Sequence, residues 1–249
     1  MKKTAASIAL LSDIHGNRLA LEAVLEDLKA RPVDAAFCLG DLVGYGPEPR
    51  EAIHILREAA IPTVMGNYDE GIGWDKGDCG CYYATGRARD IGRASYDFTA
   101  SAVGEKERAF LRELPRELFV PLGETTVHLV HGSPRRINEY LLPDRDKRTY
   151  LRLAAAERAA VLAFGHTHLA WHRKHGRVLF VNVGSVGKPK DGDPRAAYVV
   201  LHAQAQGEKP RTAVKVEVRR VAYDIEAAAA AILAAGLPED LAIALRTGT

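Results

Sequence analysis

The chain has 249 residues, of which 47% are hydrophobic and 27% are charged. This length and composition suit one globular domain with a sizeable core and exclude a disordered chain. Lysine and arginine number 34 against 32 acidic residues, so the net charge is only +2, which disfavours a protein that coats nucleic acid through its overall charge.

The N-terminal segment MKKTAASIALLSDIHG carries two lysines, but Ser12, Asp13 and His15 interrupt its apolar run early. A secretory signal has a central apolar region of about 7–15 residues. No segment elsewhere approaches the roughly 20 apolar residues that cross a bilayer. We therefore expect a soluble, cytoplasmic protein with no membrane partner.

Two strand–helix units follow from the N-terminus. SIALLSD predicts the first strand and VDAAFCLGD the second; each is followed by a helix, and IPTVMGN predicts a third strand. Such continuous apolar strands between amphipathic helices are typical of a sheet covered on both faces by βαβ crossovers. The helices are predicted to face inward through Leu21, Val24, Leu25 and Leu28, and through Ala52, Ile55, Leu56 and Ala59.

The segment at about residues 71–115 differs from the units before it. It begins with the loop DKGDCGCYYATG and continues with charged, alanine-containing stretches that predict helices. We interpret it as an insertion within a single domain that spans residues 1–249.

The second half predicts further strands and two final helices. TTVHLVHG and AAVLAFGHTH read as strands that end in polar residues, and WHRKHGRVLFVNVGS predicts a hairpin that turns at His175-Gly176. RAAYVVLHA and TAVKVEVRRVAY predict antiparallel strands, and EAAAAAILAAG and EDLAIALRTG predict helices. We expect the C-terminal strands to pack as a second sheet onto the first, in a sandwich with helices outside.

Residue types that ligate metals follow almost every predicted core strand. In α/β sheets the crevice at the carboxyl ends of the strands is where sites form. On extended backbone, residues i and i+2 point to the same side, so each of two pairs could present two ligands together. The residues concerned are Asp13 with His15, Asp41, Asn67, His131, and His166 with His168.

Each of these residues alone has an ordinary structural explanation as a turn, cap or hydrogen-bonded side chain. Together, two carboxylates, an amide and four of the nine histidines would be costly to bury unless a metal organised them. The remaining histidines lack this context and are expected to be structural or solvated: His54, His128, His172, His175 and His202.

The order and spacing of these motifs resemble the calcineurin-like metallophosphoesterases. The family signature is matched by DIHGN, GDLVGYGP, GNYD, VHGSP and GHTH, and NVGSVGKPKDGDPRAAY is similar to the prokaryotic phosphodiesterase branch. The resemblance implies an α/β fold, a four-layer α-β-β-α sandwich with two mixed sheets, and a dinuclear metal centre.

The resemblance also implies which residues hold the two divalent ions. They are Asp13, His15 and His168 for one ion, Asn67, His131 and His166 for the other, and Asp41 as the bridge. Two ions carry about +4 against two aspartates, and the remaining charge of roughly +2 would attract a phosphate. A hydroxide bridging the ions would attack phosphorus in line. Nitrogen and oxygen ligands suit Mn²⁺, Fe or Zn²⁺ without choosing between them.

Tyr68 stands where many members of that family carry a histidine that protonates the leaving oxygen, and Asp69 follows it. A phenol, with a pKa of roughly 10, is a poorer acid than imidazolium, but it can still donate a hydrogen bond. Two alternatives are open: Tyr68 is a catalytic hydrogen-bond donor supported by Asp69, or it packs over the metals as a wall. In both cases strongly basic leaving groups lack the usual proton donor.

Basic side chains beside the ligand loops could grip phosphate oxygens. The substrate-binding candidates are Asn67, Arg135, Lys188 and Arg195, whereas Arg136 and Lys190 are expected to be solvated.

Three cysteines are too few for a disulfide framework. Cys38 is expected to be a small buried apolar side chain. The Cys79-Gly80-Cys81 stretch could bind metal, form a strained redox pair or only turn a loop, and we favour the loop.

These observations predict a metal-dependent phosphoesterase for phosphodiesters or activated phosphate esters of small molecules, with nucleotides among the candidates. A bis-nucleotide pyrophosphatase, a protein-phosphatase-like enzyme and a metal-stabilised binding scaffold with little turnover are the alternatives. The sequence carries no strong nucleic-acid signature and no pattern that fixes an oligomeric state.

Overall fold

A computed structural model describes residues 5–204 and 213–249. The strands are β1 (Ser7–Leu11), β2 (Ala35–Cys38), β3 (Glu117–Leu122), β4 (Thr125–Val130), β5 (Val161–Phe164), β6 (Ala170–His175), β7 (Val178–Val183), β8 (Ala196–Gln204) and β9 (Ala213–Val221). The helices are α1 (Arg18–Lys29), α2 (Pro49–Glu58), α3 (Asn67–Gly73), α4 (Gly86–Ala102), α5 (Glu105–Glu113), α6 (Lys147–Ala156), α7 (Ile225–Ala234) and α8 (Glu239–Thr247).

The strands form two mixed sheets. The first has the order β2-β1-β8-β9, with β1 and β2 parallel and the other neighbours antiparallel. The second has the order β3-β4-β5-β7-β6, with a parallel centre of β4, β5 and β7 and an antiparallel strand at each edge. The predicted mixed α/β class with two mixed sheets is confirmed.

The assignment of the C-terminal strands to a second sheet is wrong. β8 pairs antiparallel with β1, with Leu201 opposite Ile8, and β9 extends the same sheet. The second sheet is built from the strands between α5 and β8. Apolar alternation indicates which face of a strand is buried, but it does not specify the neighbour with which the strand pairs.

Apolar side chains define four layers. Between the sheets, Leu10 and Val199 of the first sheet pack with Leu129 of the second. On the outer face of the first sheet, Leu11 packs in a core that includes residues of α1 and α2. On the outer face of the second sheet, Phe180 packs with residues of α6. Helices therefore cover both outer faces, in the α-β-β-α order that was predicted.

The predicted third strand, IPTVMGN, is wrong in extent. Only an isolated parallel bridge joins Thr63 to Cys38. The chain leaves the sheet early because Gly66 is already the N-cap residue of α3. The N–H of Gly66 donates to the carboxylate of Asp69, which stabilises the start of this helix. Sequence periodicity also places Ala59 on the inner face of α2, whereas the structure exposes it and buries Ile53.

The segment after α3 contains a loop and then α4 and α5, as predicted. The β6–β7 hairpin and the antiparallel β8–β9 pair are also confirmed, as are the two C-terminal helices. The hairpin turns one residue later than predicted, at residues 176–177, because His175 still pairs with Val178. Within the described residues, no helix combines the length and apolar character needed to span a membrane.

Candidate metal centre

The loops that follow β1, β2, β4 and β5 converge at one end of the two sheets. Backbone hydrogen bonds join them: Asp13 N–H donates to Gly40 O at 2.9 Å, and Gly165 N–H donates to His131 O at 2.8 Å. Across the sheets, His166 N–H donates to Asp13 Oδ2 at 3.0 Å. The predicted ligand residues are therefore brought to one place, and all seven are buried.

The backbone at this place is strained. Among the described residues, five of the eight non-glycine residues with positive φ are candidate ligands. Such conformations cost about 1–3 kcal/mol each and cluster at functional sites. These residues therefore do not lie on the extended backbone that was predicted, although each pair does reach the same site. The five are Asp13, His15, Asp41, His166 and His168.

Asp13, His15 and His168 form the first group, with ligand atoms within 4.8 Å of one another. The Nε2 atoms of His15 and His168 are 3.1 Å apart. Asp13 Oδ1 lies 3.7 Å from His15 Nε2 and 3.3 Å from His168 Nε2. Three potential donors thus face one small volume from two different sheets.

Asp41, His131 and His166 form the second group, within the same distance limit. His131 Nε2 lies 3.3 Å from Asp41 Oδ2 and 3.0 Å from the side-chain oxygen of Asn67. The amide of Asn67 therefore presents its oxygen to this group.

Asp41 belongs to the second group, and one of its oxygens also lies near the first group. Its Oδ2 lies 3.3 Å from His131 Nε2 and 3.7 Å from His15 Nε2. Its Oδ1 accepts the backbone N–H of Tyr68 at 2.8 Å, which fixes the carboxylate plane. Its other oxygen is thus left between His131 and His15.

Backbone carbonyls orient three of the four histidines. The Nδ1 atoms of His15, His131 and His168 lie 3.0, 2.7 and 2.5 Å from the carbonyl oxygens of Val43, Leu39 and Lys188. This leaves Nε2 of each ring for the site. Fixing one ring nitrogen on a carbonyl is the usual way in which proteins orient a metal-binding histidine.

The donor set fits divalent cations. Asp13 Oδ1 and His166 Nε2 are buried and have no hydrogen-bond partner among the described residues. Buried polar atoms without partners are costly, and here they point into groups of carboxylate, imidazole and amide donors. Nitrogen and oxygen donors of this kind suit first-row divalent metals.

For three of the four histidines the protonation state agrees with this fit. Burial, with a contribution from His168, lowers the pKa of His15 to about 3. Burial, with a contribution from His131, lowers the pKa of His166 to about 3, and burial also lowers the pKa of His168. Burial would lower the pKa of His131 as well, but the Asp41 carboxylate outweighs it and raises that pKa to about 10. Three of the four imidazoles are thus neutral at neutral pH, the form that ligates metals.

Asp69 holds the backbone around the site rather than the Tyr68 side chain. Its Oδ2 accepts the N–H groups of Asp41 at 2.8 Å and Gly66 at 2.9 Å, and its Oδ1 accepts that of Leu42 at 2.9 Å. Burial and the Asp41 carboxylate raise the pKa of Asp69 to about 7. The carboxylate thus joins the loop after β2 to the start of α3.

Tyr68 is fully buried beside the first group. Its ring lies edge-on to His15, with centroids 5.5 Å apart, and packs on Tyr45 at 4.9 Å. Its hydroxyl has no hydrogen-bond partner in the described part of the chain. Burial and the neighbouring Tyr45 raise the pKa of the phenol well above its usual value.

Of the basic residues predicted to bind substrate, only Lys188 lies near the two groups. It is buried, its carbonyl orients His168, and its Nζ lies 5.3 Å from the ring centroid of Tyr45. Arg135 instead pairs with Glu139, and Arg195 with Asp193; both arginines are largely exposed. The structure does not bring either arginine to the metal ligands.

A cavity of about 260 Å³ lies beside the two groups, and two of its wall residues pack on candidate ligand histidines. Tyr45 lies edge-on to His15 at 4.8 Å, and Tyr140 packs on His166 at 4.1 Å. Lys190, which the sequence places in solvent, is exposed but lines this cavity, and its N–H donates to His168 O. The lining residues include Tyr45, Cys81, Tyr82, Tyr83, Tyr140, Lys188 and Lys190.

The sequence gives no signal for the aromatic residues of this cavity, and it predicts a solvated Lys190. Lys190 lies two residues after Lys188 in the loop after β7, so proximity to NVGS was the only available signal. Of the histidines outside the site, His128 is buried between Glu117 and Glu157, at 2.8 Å from each.

Known proteins share this sequence and fold. Residues 7–206 match the model of the calcineurin-like phosphoesterase superfamily domain. An uncharacterised protein of Methanocaldococcus jannaschii is 32% identical over 250 residues, covering 93% of this chain and 94% of its own. The phosphodiesterase YfcE of Escherichia coli is 27% identical over 203 residues, covering 76% and 84%. A crystal structure of a metallophosphoesterase from Sphaerobacter thermophilus has a TM-score of 0.76 at 31% identity, covering 99% of this chain and 100% of that one.

Proposed function

This chain belongs to the calcineurin-like phosphoesterase superfamily and is a hydrolase of phosphate ester bonds, and from that premise we propose that it cleaves phosphodiesters of small molecules at a centre of two divalent cations. The observation that carries the proposal is the pair of buried ligand groups, with Oδ2 of Asp41 lying near a histidine of each. The Escherichia coli relative, which is named a phosphodiesterase, supports the substrate class.

The first group and the second group would each hold one cation, with Asn67 in the second and Asp41 between them. When bound, two such cations neutralise phosphate charge and activate water for in-line attack on phosphorus. Mn²⁺, Fe and Zn²⁺ all suit these donors.

The cavity side chains would position the substrate. Lys190 supplies a cation at the rim, where it can pair with a phosphate oxygen. Tyr45 and Tyr140 pack against site histidines and supply aromatic surface beside the phosphate position. Aromatic surface next to a phosphate site favours phosphodiesters that carry a flat ring, nucleotides among them.

We assign Tyr68 to the wall of the site and Asp69 to positioning. The Tyr68 phenol is fully buried and is not among the residues that line the cavity. Among the described residues, the hydrogen bonds of the Asp69 carboxylate all come from backbone N–H groups, so it orients Asp41 rather than a reacting group.

Hydrolysis of bis(4-nitrophenyl) phosphate by Mn²⁺-loaded protein tests the proposal. Turnover that disappears with chelation and returns with Mn²⁺ is expected. A protein that binds two ions but releases no nitrophenol would instead be a metal-stabilised binding scaffold.

A further inference from the structure

Two thiols face each other at the edge of the cavity. Cys79 and Cys81 are not joined by a disulfide, and their Sγ atoms lie 2.8 Å apart. Gly80 between them has φ +66°, a conformation that a glycine adopts without strain. The turn is held on both sides, because Gly80 N–H donates to Asp78 Oδ1 and Asn138 Nδ2 donates to Gly80 O.

This pair contacts Asn67 directly. The Asn67 side-chain NH₂ donates to Cys79 O at 2.9 Å and to Cys81 Sγ at 3.2 Å. With its nitrogen held there, the amide turns its oxygen toward His131. Both partners that orient this amide nitrogen therefore come from the cysteine pair.

Small molecules can reach the sulfur atoms from two sides. Cys81 lines the cavity beside the candidate metal centre. Both cysteines also line a second cavity, of about 390 Å³, next to α4. Cys38 is fully buried in the core and lines neither cavity. The pair thus borders open space, chiefly through the partly buried Cys81, whereas the core residue Cys38 serves as an internal reference.

We propose that Cys79 and Cys81 are an oxidisable dithiol that controls the second ligand group through Asn67. The inference rests on the proposed function in taking Asn67 as a metal ligand. The oxidant class is a hydroperoxide. With hydrogen peroxide, one thiol attacks an oxygen, gives a sulfenic acid and releases water; the second thiol then displaces that hydroxyl as a second water. An S–S bond forms, and the dithiol's two hydrogens and two electrons reduce the peroxide.

Closing that bond moves the partners of Asn67. A disulfide holds its sulfurs about 2.05 Å apart, so the turn around Gly80 must contract. Cys79 O and Cys81 Sγ, to which the amide donates, both move with it. Disturbing a group that orients a metal ligand typically costs about 10- to 100-fold in metal affinity or activity. Oxidation therefore weakens the second group, and reduction restores it.

The experiment follows thiols and metal content as well as turnover. Mn²⁺-loaded protein is treated with a stoichiometric amount of hydrogen peroxide, then passed through a desalting column, with and without later reduction by dithiothreitol. The intact mass should fall by two hydrogens, peptide mapping should link residues 79 and 81, and one thiol, that of Cys38, should remain. Bound Mn²⁺ and diester hydrolysis should both drop, and dithiothreitol should restore them on reloading.

Variants test whether the response comes from this cysteine pair. The bound Mn²⁺ and turnover of each variant after peroxide are compared with those of its own reduced form, so differences in basal activity between variants do not affect the result. The Cys79→Ser/Cys81→Ser protein should show no peroxide response, whereas Cys38→Ala should respond like wild type. A disulfide that forms without changing metal content or turnover overturns the proposal, and so does a wild type that keeps all three thiols. If no state hydrolyses diesters, the proposed function fails, while thiol count and bound Mn²⁺ still decide the switch.

Discussion

The carboxylate of Asp69 accepts the backbone N–H of Asp41 at 2.8 Å, so a buried aspartate fixes the residue that joins the two ligand groups. The same carboxylate also accepts the N–H groups of Leu42 and Gly66. The loop after β2 and the start of α3 are thereby held together at the point where Asp41 and Asn67 enter the site.

Asp69→Asn should destabilise this junction, because an amide NH₂ cannot accept a hydrogen bond from a backbone N–H. Leaving one buried donor unpaired costs about 1–3 kcal/mol, so the free energy of unfolding in urea should fall by that amount and bound metal should fall with it. The control is Asp75→Asn, whose side chain is 77% exposed. Unchanged stability and metal content in Asp69→Asn would contradict the positioning role.

The structure and the sequence prediction disagree about which basic residue binds substrate, Lys190 or Arg195. Because Lys190 lines the cavity and Arg195 is paired with Asp193 away from the ligands, Lys190→Ala should weaken binding of a diester about tenfold, as expected for loss of one charge-assisted contact. Arg195→Ala should leave it within error of wild type. The measurement is KM for bis(4-nitrophenyl) phosphate at fixed Mn²⁺. A larger effect on KM from Arg195→Ala than from Lys190→Ala would support the sequence prediction that Arg195 binds substrate.

Tyr68→Phe removes a buried hydroxyl that has no partner among the described residues. If Tyr68 is a wall, the change should raise stability or leave it level, since desolvating an unpaired hydroxyl costs about 1–3 kcal/mol. Rates should depend steeply on the leaving-group pKa in both proteins, because neither supplies an acid. A selective loss on alkyl esters in Tyr68→Phe would show that the phenol donates a hydrogen bond to the substrate.

Gly165→Ala should displace the first ligand group. A Cβ atom at this position would lie 2.1 Å from Ser12 Oγ and 2.4 Å from Asp13 Oδ2, distances that force a shift. We expect loss of one bound ion per chain and reduced thermal stability. Gly86→Ala is the matched control, because a Cβ at Gly86 meets no atom within 4 Å. Equal metal content in the two variants would show that Asp13 is not a metal ligand.

The residues of the candidate site could be picked out from sequence because metal-ligand residue types follow successive strands, and parallel strands bring their carboxyl ends to one edge. The backbone there could not be predicted. Positive φ at Asp13 and His166 depends on hydrogen bonds between loops that are far apart in sequence. Side-chain direction in the loop after β7 could not be predicted either. Lys190 lines the cavity, whereas Arg195 turns to Asp193.

Strand pairing in the two sheets could not be predicted from the sequence either. Apolar runs identified nearly every strand, but pairing is a long-range property, and β8 could not be assigned to β1 from its own pattern. Likewise, the contact between Asn67 and the cysteine pair arises because the loop between α3 and α4 folds back. Spacing alone gives no sign of that contact.

Metal stoichiometry of Asp41→Asn tests the central claim most directly. The asparagine oxygen can still accept the Tyr68 N–H, so the loop should be retained, but the anionic oxygen shared by the two groups is lost. Each protein is loaded with Mn²⁺, freed of excess and analysed for metal, with Asp97→Asn, on the exposed side of α4, as control. We predict two ions per chain in wild type and control and well below two in Asp41→Asn, together with loss of diester hydrolysis. Two ions bound to Asp41→Asn would contradict the bridging role and the shared centre.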